Sequence, residues 1–350
     1  MPDLPTHPAQ AQHSPTPIQP RAERLAPAHR LAGAVRLVGS RSPSPLAAGR
    51  KFLASAPAHG IDLDLFFGTV EARIGDERPI ADWVSQVVLV VPGAGRTGVV
   101  FLADPKPGVA DGLDHARRVA CLRAATEHVR ALGGSIQILQ CLPEPTEPWA
   151  DKALREAGYA FIGHLLYLRR PLHEKSATEA SVDPGAPWPE GVQVLRMRDL
   201  ADPDETLKAG LERTYIDTRD CPGLTGLRAT EDVIASHRAP GVYDPALWHV
   251  VLLHGQPCGC VLLNRCPELR CFELVYLGLG PEVRGMGLGK RLMELGLRTC
   301  RESGGLGGKG GAWDVTCAVD ASNAPAMKLY EGLGFRPFQR RMAFVLPIGR

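Results

Sequence analysis

The clearest hydrophobic pattern in the chain is an apolar run that passes directly into a glycine-rich turn. Leu274 to Leu279 are mostly apolar, as in a buried strand, and the turn follows as Arg284-Gly285-Met286-Gly287-Leu288-Gly289-Lys290. Glycines two residues apart leave backbone N–H groups uncovered, and a helix that begins near Gly287 adds unpaired amides and the positive end of its dipole. The pattern therefore predicts a strand, an anion-binding turn and a helix.

Two nucleotide-binding loops compete for this pattern, and the spacing excludes both. A Walker A loop requires Ser or Thr after its lysine, but Arg291 follows Lys290, and Arg284 stands where the first glycine should be. A dinucleotide fingerprint requires G-x-G-x-x-G and a second strand soon afterwards. Here the third glycine interval is wrong, and residues 304–311 are too glycine-rich to form that strand.

A second motif lies downstream. The apolar run from Trp313 to Val319 predicts a strand, and Asn323-Ala324-Pro325 then opens a short helix that ends before Gly334-Phe335. With the Arg-Gly-x-Gly-x-Gly turn, this pattern resembles the Gcn5-related N-acetyltransferases, the GNAT superfamily, over residues 191–350. The resemblance implies an α/β fold with a central mixed β-sheet flanked by helices. It also implies that the turn holds the pyrophosphate of acetyl-CoA.

The pattern of the closing elements occurs twice along the chain. A helix, a glycine-aromatic pair and a strand at 152–161 and 165–171 mirror those at 327–335 and 342–347. Upstream of the first copy, periodicity predicts paired strands at 86–91 and 98–102, an amphipathic helix at 116–132 and a strand at 135–142. The expected fold is therefore two tandem GNAT-type domains.

The first half departs from the family at the cofactor turn. It has Pro107-Gly108-Val109-Ala110-Asp111-Gly112-Leu113-Asp114 in place of Arg-Gly-x-Gly-x-Gly, so Asp111 and Asp114 stand where phosphates would bind. The residue that aligns with Tyr330 is Leu154. We therefore expect a degenerate domain with a structural or substrate-shaping role.

The remaining segments are expected to precede or connect the two domains. Residues 1–30 are rich in Pro, Gln, His and Ser, a composition that predicts a disordered tail. Residues 173–190 contain Ser, Thr, Asp and several prolines, which predicts a linker. The degenerate domain then spans 31–172 and the catalytic domain 191–350.

Composition limits the classes of partner. The 40 basic and 38 acidic side chains leave a net charge of +2, and no apolar run approaches the length of a membrane span, so neither nucleic acid nor membrane is expected. Nine cysteines without a secretory signal favour reduced thiols and a cytoplasmic location.

One cluster of cysteines, Cys258, Cys260, Cys266 and Cys271, could hold zinc. It lacks paired C-x-x-C spacing, so small apolar fillers in a hairpin and no metal are expected.

The resemblance implies cofactor-binding residues in three places. Backbone amides of the turn hold the phosphates, at Arg284, Gly285, Met286, Gly287, Leu288, Gly289 and Lys290, and the side chains at both ends of the turn can add positive charge. Main-chain groups at Leu277 and Leu279 line the pantetheine arm where the fourth strand splays from the fifth, and the Leu277 amide faces the thioester oxygen. Asn323 contacts the same arm.

Two side chains are the candidate catalysts. Glu273 interrupts an apolar strand four residues before Leu277, and the resemblance implies a general base that acts directly or through water. The alternative is an ion pair with Arg265 or Arg270. Tyr330 lies on the same helix face as Asn323, and the resemblance implies a general acid for the departing sulfur; the alternative is a core aromatic.

The identity of the acceptor remains open. The wall expected for it, 215–243, carries Asp217, Arg219, Asp220, Arg228 and Tyr243 with no dominant sign of charge, which is compatible with a small-molecule or peptide amine. His249 and His254 are alternative bases, although a structural role is the simpler interpretation. The expected activity is direct acetyl transfer to a primary amine. Alternatives are a longer acyl group, or a non-catalytic CoA-binding or regulatory protein. The sequence does not indicate an oligomeric state.

Overall fold

The computed structural model describes residues 20–71, 77–173, 186–305 and 313–349. Most of the expected tail and linker therefore lies outside the described residues. The ordered chain begins before residue 30, however, because Glu23–Arg24 form a short strand and a helix starts at Pro27. Proline is well accommodated there, since the first turn of a helix has no use for its missing N–H group.

Eight α-helices and twelve β-strands are defined within these ranges. The helices are α1 Pro27–Val38, α2 Pro45–Ser55, α3 Asp111–Ala131, α4 Pro148–Glu156, α5 Pro203–Thr214, α6 Thr230–Arg238, α7 Leu288–Cys300 and α8 Ala324–Gly332. The strands are β1 Glu23–Arg24, β2 Phe66–Val70, β3 Val84–Gly93, β4 Thr97–Leu102, β5 Ile138–Cys141, β6 Ala160–Pro171, β7 Val192–Arg196, β8 His249–Leu253, β9 Gln256–Cys266, β10 Cys271–Leu279, β11 Asp314–Asp320 and β12 Arg336–Pro347.

All twelve strands form one mixed sheet, which confirms the predicted fold class. The order is β1-β2-β3-β4-β5-β12-β6-β11-β10-β9-β8-β7. Each half contributes one parallel pair, β4 with β5 and β10 with β11, among antiparallel neighbours. The closing strands are exchanged between the halves: β12 lies beside β5, and β6 lies beside β11.

The exchange is also visible in the hydrophobic cores. Phe344 of β12 is fully buried in a cluster formed mainly by β3, β4, β5 and α3 of the first half. Leu168 of β6 is buried in the cluster around β8 to β11 and α7 in the second half. Each core is therefore completed by a strand that the other half supplies.

The elements predicted in the first half are present with shifted ends. Strands β3 and β4 pair around the turn at residues 94–96, as predicted. Helix α3 begins at Asp111 instead of 116, because its first turn is polar and escaped a search for apolar periodicity. Acidic side chains such as Asp111 and Asp114 are favourable at that end of a helix.

Candidate active site

A cavity of about 970 Å³ lies where the end of β10 meets the beginning of α7 and the inner face of α8. This volume is at the upper end of the range for small-molecule sites. The cavity is lined by Thr214, Asp217, Thr218, Arg219, Asp220, Tyr276, Leu277, Gly278, Leu279, Arg284, Gly285, Gly287, Leu288, Gly289, Lys290, Asn323, Pro325, Ala326, Lys328, Leu329 and Tyr330. Ten of the twelve residues predicted for the site are therefore together, and Glu273 and Met286 are not among the lining residues.

The cavity opens because β10 and β11 diverge. Their parallel pairing runs from Cys271↔Asp314 to Leu274↔Cys317, whereas β10 continues to Leu279. The pairing with β9 shifts register between Leu274 and Tyr276, which marks a β-bulge at Val275. A bulge bends a strand and increases its twist, so β10 turns away from β11 at this point. Main-chain groups on that side of β10 are thus left for a ligand.

The glycine turn presents its backbone to the cavity. Gly285 and Gly287 have φ angles of 80° and 74°, in the left-handed region, and Gly287 is the N-cap of α7. No atom lies within 4 Å of where a Cβ would stand on either residue. Only glycine adopts this backbone readily, and the exposed N–H groups at the helix start form a site for an anion.

Arg284 braces the turn and also lines the cavity. Its guanidinium donates to the carbonyl oxygens of Leu279 at 2.9 Å, Ile216 at 2.7 Å and Thr214 at 3.1 Å. These bonds tie the turn to the end of α5. Lys290 keeps its side chain at the cavity, with Nζ 3.9 Å from a carboxylate oxygen of Glu294.

Asn323 and Tyr330 occupy opposite ends of α8. The Asn323 side chain accepts a hydrogen bond from Ala326 N at 3.3 Å and caps the helix, while it also lines the cavity. Tyr330 is 6% exposed and packs edge-on against Phe335, with ring centroids 5.4 Å apart. Burial raises the pKa of Tyr330 well above its ordinary value, so its hydroxyl keeps its proton at neutral pH.

Glu273 lies in β10 between β9 and β11, half-buried. Burial raises the pKa of its carboxyl, and its nearest recorded partner is Cys266 Sγ at 4.0 Å. Among the described residues it forms no ion pair with Arg265 or Arg270; Arg265 instead stacks on Trp313. A buried carboxylate without a cationic partner is easily protonated, which suits a base more than a structural ion pair.

Asp220 is the carboxylate whose position could not be predicted from the sequence. It lines the cavity, and its Oδ1 accepts a hydrogen bond from Asp320 N at 3.1 Å. Burial raises the pKa of Asp220, the bond from Asp320 N opposes that shift, and the negative charge of Asp320 adds to it. The sequence identified Asp220 only as part of a mixed-charge wall, because its partner lies one hundred residues away in the chain.

The other residues expected near the acceptor divide into two groups. Asp217 and Arg219 line the cavity, whereas Arg228 and Tyr243 do not. His249 lines a separate small cleft, where burial lowers its pKa to about 4. His254 occupies the turn between β8 and β9 with a φ of 48°. Neither histidine lines the 970 Å³ cavity.

The equivalent turn of the first half is filled by its own side chains. The Asp114 carboxylate accepts hydrogen bonds from Lys106 N at 3.2 Å, Gln86 Nε2 at 2.7 Å and Arg118 Nη2 at 2.6 Å. Asp114 is 3% exposed and Arg118 1% exposed. A carboxylate of the chain thus binds a backbone N–H group of the loop before α3, where a phosphate would otherwise be expected.

Two further features are relevant to a metal site and to a membrane-spanning helix: the cysteine cluster and the helices. Cys258, Cys260 and Cys266 lie in β9 and Cys271 in β10, all buried, and no group of metal-ligating side chains occurs among the described residues. Within the same ranges, no helix combines the length and hydropathy needed to cross a bilayer.

Comparison with known proteins places this site in a class. The Acetyltransferase (GNAT) family matches residues 211–335, which contain the glycine turn, the diverging strands and α8. The crystal structure of a GCN5-related N-acetyltransferase from Sphaerobacter thermophilus shares the fold, with a TM-score of 0.55 and 16% identity over 94% of this chain and 96% of that chain. The chain belongs to the GNAT family of N-acetyltransferases.

Two relatives match most of the chain. A mycothiol acetyltransferase from Salinispora arenicola is 30% identical over 250 residues, which cover 68% of this chain and 74% of that protein. A mycothiol acetyltransferase from Thermomonospora curvata is 28% identical over 267 residues, or 74% of this chain and 73% of that protein.

Proposed function

We propose that the second half of the chain binds acetyl-CoA in the 970 Å³ cavity and transfers its acetyl group directly to a primary amine of a small molecule. The observation that carries the proposal is that one cavity joins the exposed amides before α7, the diverging part of β10 and the buried hydroxyl of Tyr330. These are the elements required to hold a diphosphate, to align a thioester and to protonate a leaving thiolate.

Binding follows from the backbone. The amides of residues 285–289 hold the diphosphate, and Lys290 and Lys328 supply positive charge at the cavity wall. Leu277 and Leu279, beyond the bulge, contact the pantetheine arm through main-chain groups that have no partner on β11. The Leu277 amide donates to the thioester oxygen, so it stabilises the negative charge that develops there during attack.

Proton transfer uses two residues in the mechanism we propose. Acetyl-CoA supplies an acyl thioester. As the C–N bond forms and the C–S bond breaks, Glu273 takes the proton of the amine and Tyr330 gives its proton to the sulfur. Since Glu273 does not line the cavity, we infer that water relays the proton to it.

Asp220 has a different role in this scheme. The hydrogen bond from Asp320 N favours its ionised form, whereas nothing comparable stabilises the Glu273 carboxylate. An ionised carboxylate at the cavity wall attracts the cationic form of an amine. We therefore assign Asp220 to holding the acceptor and Glu273 to accepting the proton.

The names of the relatives suggest the first acceptor to test. Both relatives described above are mycothiol acetyltransferases, and this chain matches about three quarters of the length of each. The acceptor side of the cavity carries both signs of charge, at Asp217, Arg219 and Asp220. We propose the amine precursor of mycothiol as the leading candidate. We assign catalysis to the second half alone, because the equivalent turn of the first half is occupied by Asp114.

The test is a turnover assay with a panel of small primary amines that includes this precursor. Release of CoA and formation of the acetylated product are followed by mass-resolved chromatography. Tyr330→Phe should lower kcat by about a hundredfold and leave the acetyl-CoA Kd within about twofold, because the hydroxyl acts only on the departing sulfur.

A matched control is Tyr159→Phe, which alters a buried tyrosine in the first half. Its kcat should equal that of the unmodified enzyme. Binding of acetyl-CoA without turnover on any amine would favour the non-catalytic alternative. Full activity of Tyr330→Phe would remove the assigned acid.

A further inference from the structure

The acceptor side of the cavity continues into a segment that rests on the first half of the chain. Residues 217–220 line the cavity, and the chain then forms a 3₁₀ turn at Pro222–Leu224 and helix α6. We call residues 217–238 the acceptor wall. Two parts of the first half contact this wall, and they come from different elements.

The first contact is the tip of the β3–β4 hairpin against α6. Arg96 Nε donates to the two carboxylate oxygens of Asp232 at 2.9 and 3.0 Å, and Nη2 donates at 2.6 Å. Ser236 Oγ donates to Ala94 O at 3.0 Å. A Cβ at Gly95 would stand 1.9 Å from Asp232 O, so only glycine allows this approach.

The conformation of Arg96 indicates that its side chain matters at this position. Its φ angle is 52°, in the left-handed region where glycine or asparagine is the usual residue of a tight turn. An arginine occupies this position in spite of the conformational cost, and its guanidinium forms a forked pair with the Asp232 carboxylate on the other half. The hairpin tip thus serves as a docking point.

The second contact lies under the 3₁₀ turn. A Cβ at Gly223 would meet Cγ2 of Ile162 at 3.0 Å, so the turn is seated closely on β6, the exchanged strand of the first half. Next to it, Cys221 N donates to Asp320 Oδ2 at 3.2 Å and fixes the turn to β11. The acceptor wall is therefore supported by the first half near both of its ends.

Helix α6 connects the contacts with the first half to a residue that lines the cavity. The His237 ring packs against the Tyr276 ring with centroids 5.3 Å apart, and Tyr276 lines the cavity, where its hydroxyl lies 2.7 Å from Thr214 Oγ1. Every residue that lines the cavity belongs to the second half. The glycine turn bonds to the end of the wall that is remote from α6, where Arg284 Nη1 donates to Asp217 O at 3.3 Å. A shift of α6 should therefore disturb the acceptor side more than the glycine turn.

We propose that the first half is a scaffold for the acceptor wall, and that Arg96 is its principal positioning residue. The proposal rests on the function proposed above, because it assigns this half to acceptor recognition in the same reaction. It gives a reason for the chain to carry a domain whose own cofactor turn is closed by Asp114. Without the Arg96–Asp232 contact, α6 would be held against the first half by fewer bonds.

The experiment compares Arg96→Gln with a control variant that removes a different ion pair to α6. Lys208→Gln removes an exposed ion pair between α5 and Glu231 of α6, entirely within the second half. We measure kcat and KM for the amine precursor of mycothiol, the acetyl-CoA Kd by calorimetry, and hydrogen–deuterium exchange of residues 230–238. Arg96→Gln should raise the acceptor KM by about three- to tenfold and speed exchange in α6, with acetyl-CoA affinity unchanged.

The charge-reversed pair, Arg96→Asp with Asp232→Arg, should recover much of the acceptor KM, and Lys208→Gln should behave as the unmodified protein. An unchanged acceptor KM and unchanged exchange in Arg96→Gln would overturn the proposal, as would an equal loss of acetyl-CoA affinity. If no amine is acetylated by the unmodified protein, the proposed function fails; the exchange measurement then still decides whether Arg96 holds α6.

Discussion

At the residue scale, the proposed reaction uses two carboxyl groups, Asp220 and Glu273, that differ in their hydrogen bonds. Both pKa values are raised, but Asp220 accepts a backbone hydrogen bond and Glu273 accepts none from the main chain in the described structure. A hydrogen bond to the charged form favours ionisation. The main-chain bond thus favours the ionised form of Asp220, and Glu273 has no such bond.

This difference predicts distinct pH profiles for two amide variants. Because Glu273 must be ionised to accept a proton, kcat/KM should fall as the pH drops through its raised pKa. Glu273→Gln should lower kcat by about a hundredfold and abolish this acidic limb. Asp220→Asn should retain the limb and mainly raise the acceptor KM. Rate profiles from pH 5 to 9 test both.

Stability provides the control for Asp220→Asn. A carboxyl whose folded pKa is raised favours the folded state most below its unfolded pKa, and this contribution is lost as the pH rises through the folded pKa. Asparagine keeps an acceptor for Asp320 N and carries no charge. The variant should therefore be at least as stable as the unmodified protein at pH 7. A large loss of stability would contradict a purely electrostatic role for Asp220.

At the scale of elements, the turn before α7 shows what a sequence motif specifies well. Alternate glycines predicted uncovered backbone amides and the helix start, and Gly287 is the N-cap of α7 with a φ of 74°. The bulge at Val275 was not predicted, because an extra residue in an apolar strand leaves no mark in composition. The bracing role of Arg284 was missed for a related reason, since three of its carbonyl partners, on residues 214, 216 and 217, are distant in the chain.

Gly287→Ala tests the turn as a unit. Alanine is strained at this φ, so we expect a loss of about 1–2 kcal/mol in the free energy of unfolding and a rise of at least about tenfold in the acetyl-CoA Kd. Chemical denaturation and calorimetry measure the two quantities. Gly332→Ala is the control, because a Cβ there meets nothing within 4 Å and φ is not positive. Normal cofactor affinity in Gly287→Ala would argue against a phosphate site at this turn.

At the scale of the whole molecule, the sequence predicted two related halves but not how they are joined. The repeated helix-glycine-aromatic-strand ending is the same whether the closing strand pairs with its own half or with the other. Only the sheet order shows that β6 lies beside β11 and β12 beside β5. Hydrophobic alternation determines which face of a strand is buried, and it carries no information about which neighbour the strand will choose.

The exchange predicts that neither half is stable without the other. Residues 191–350 alone would expose the edge of β11 that β6 covers and would remove the core around Phe344. We therefore expect this fragment to aggregate or to form dimers that exchange strands, as unpaired edges and apolar surfaces promote association.

Cutting the intact protein at a protease site introduced between residues 174 and 185 should give two fragments that elute together from a sizing column and bind acetyl-CoA as before. The uncut variant is the control for the inserted site. A monomeric 191–350 fragment with a native-like circular dichroism spectrum and full acetyl-CoA affinity would show that the exchanged strands are dispensable, and with them the structural reason for keeping the first half.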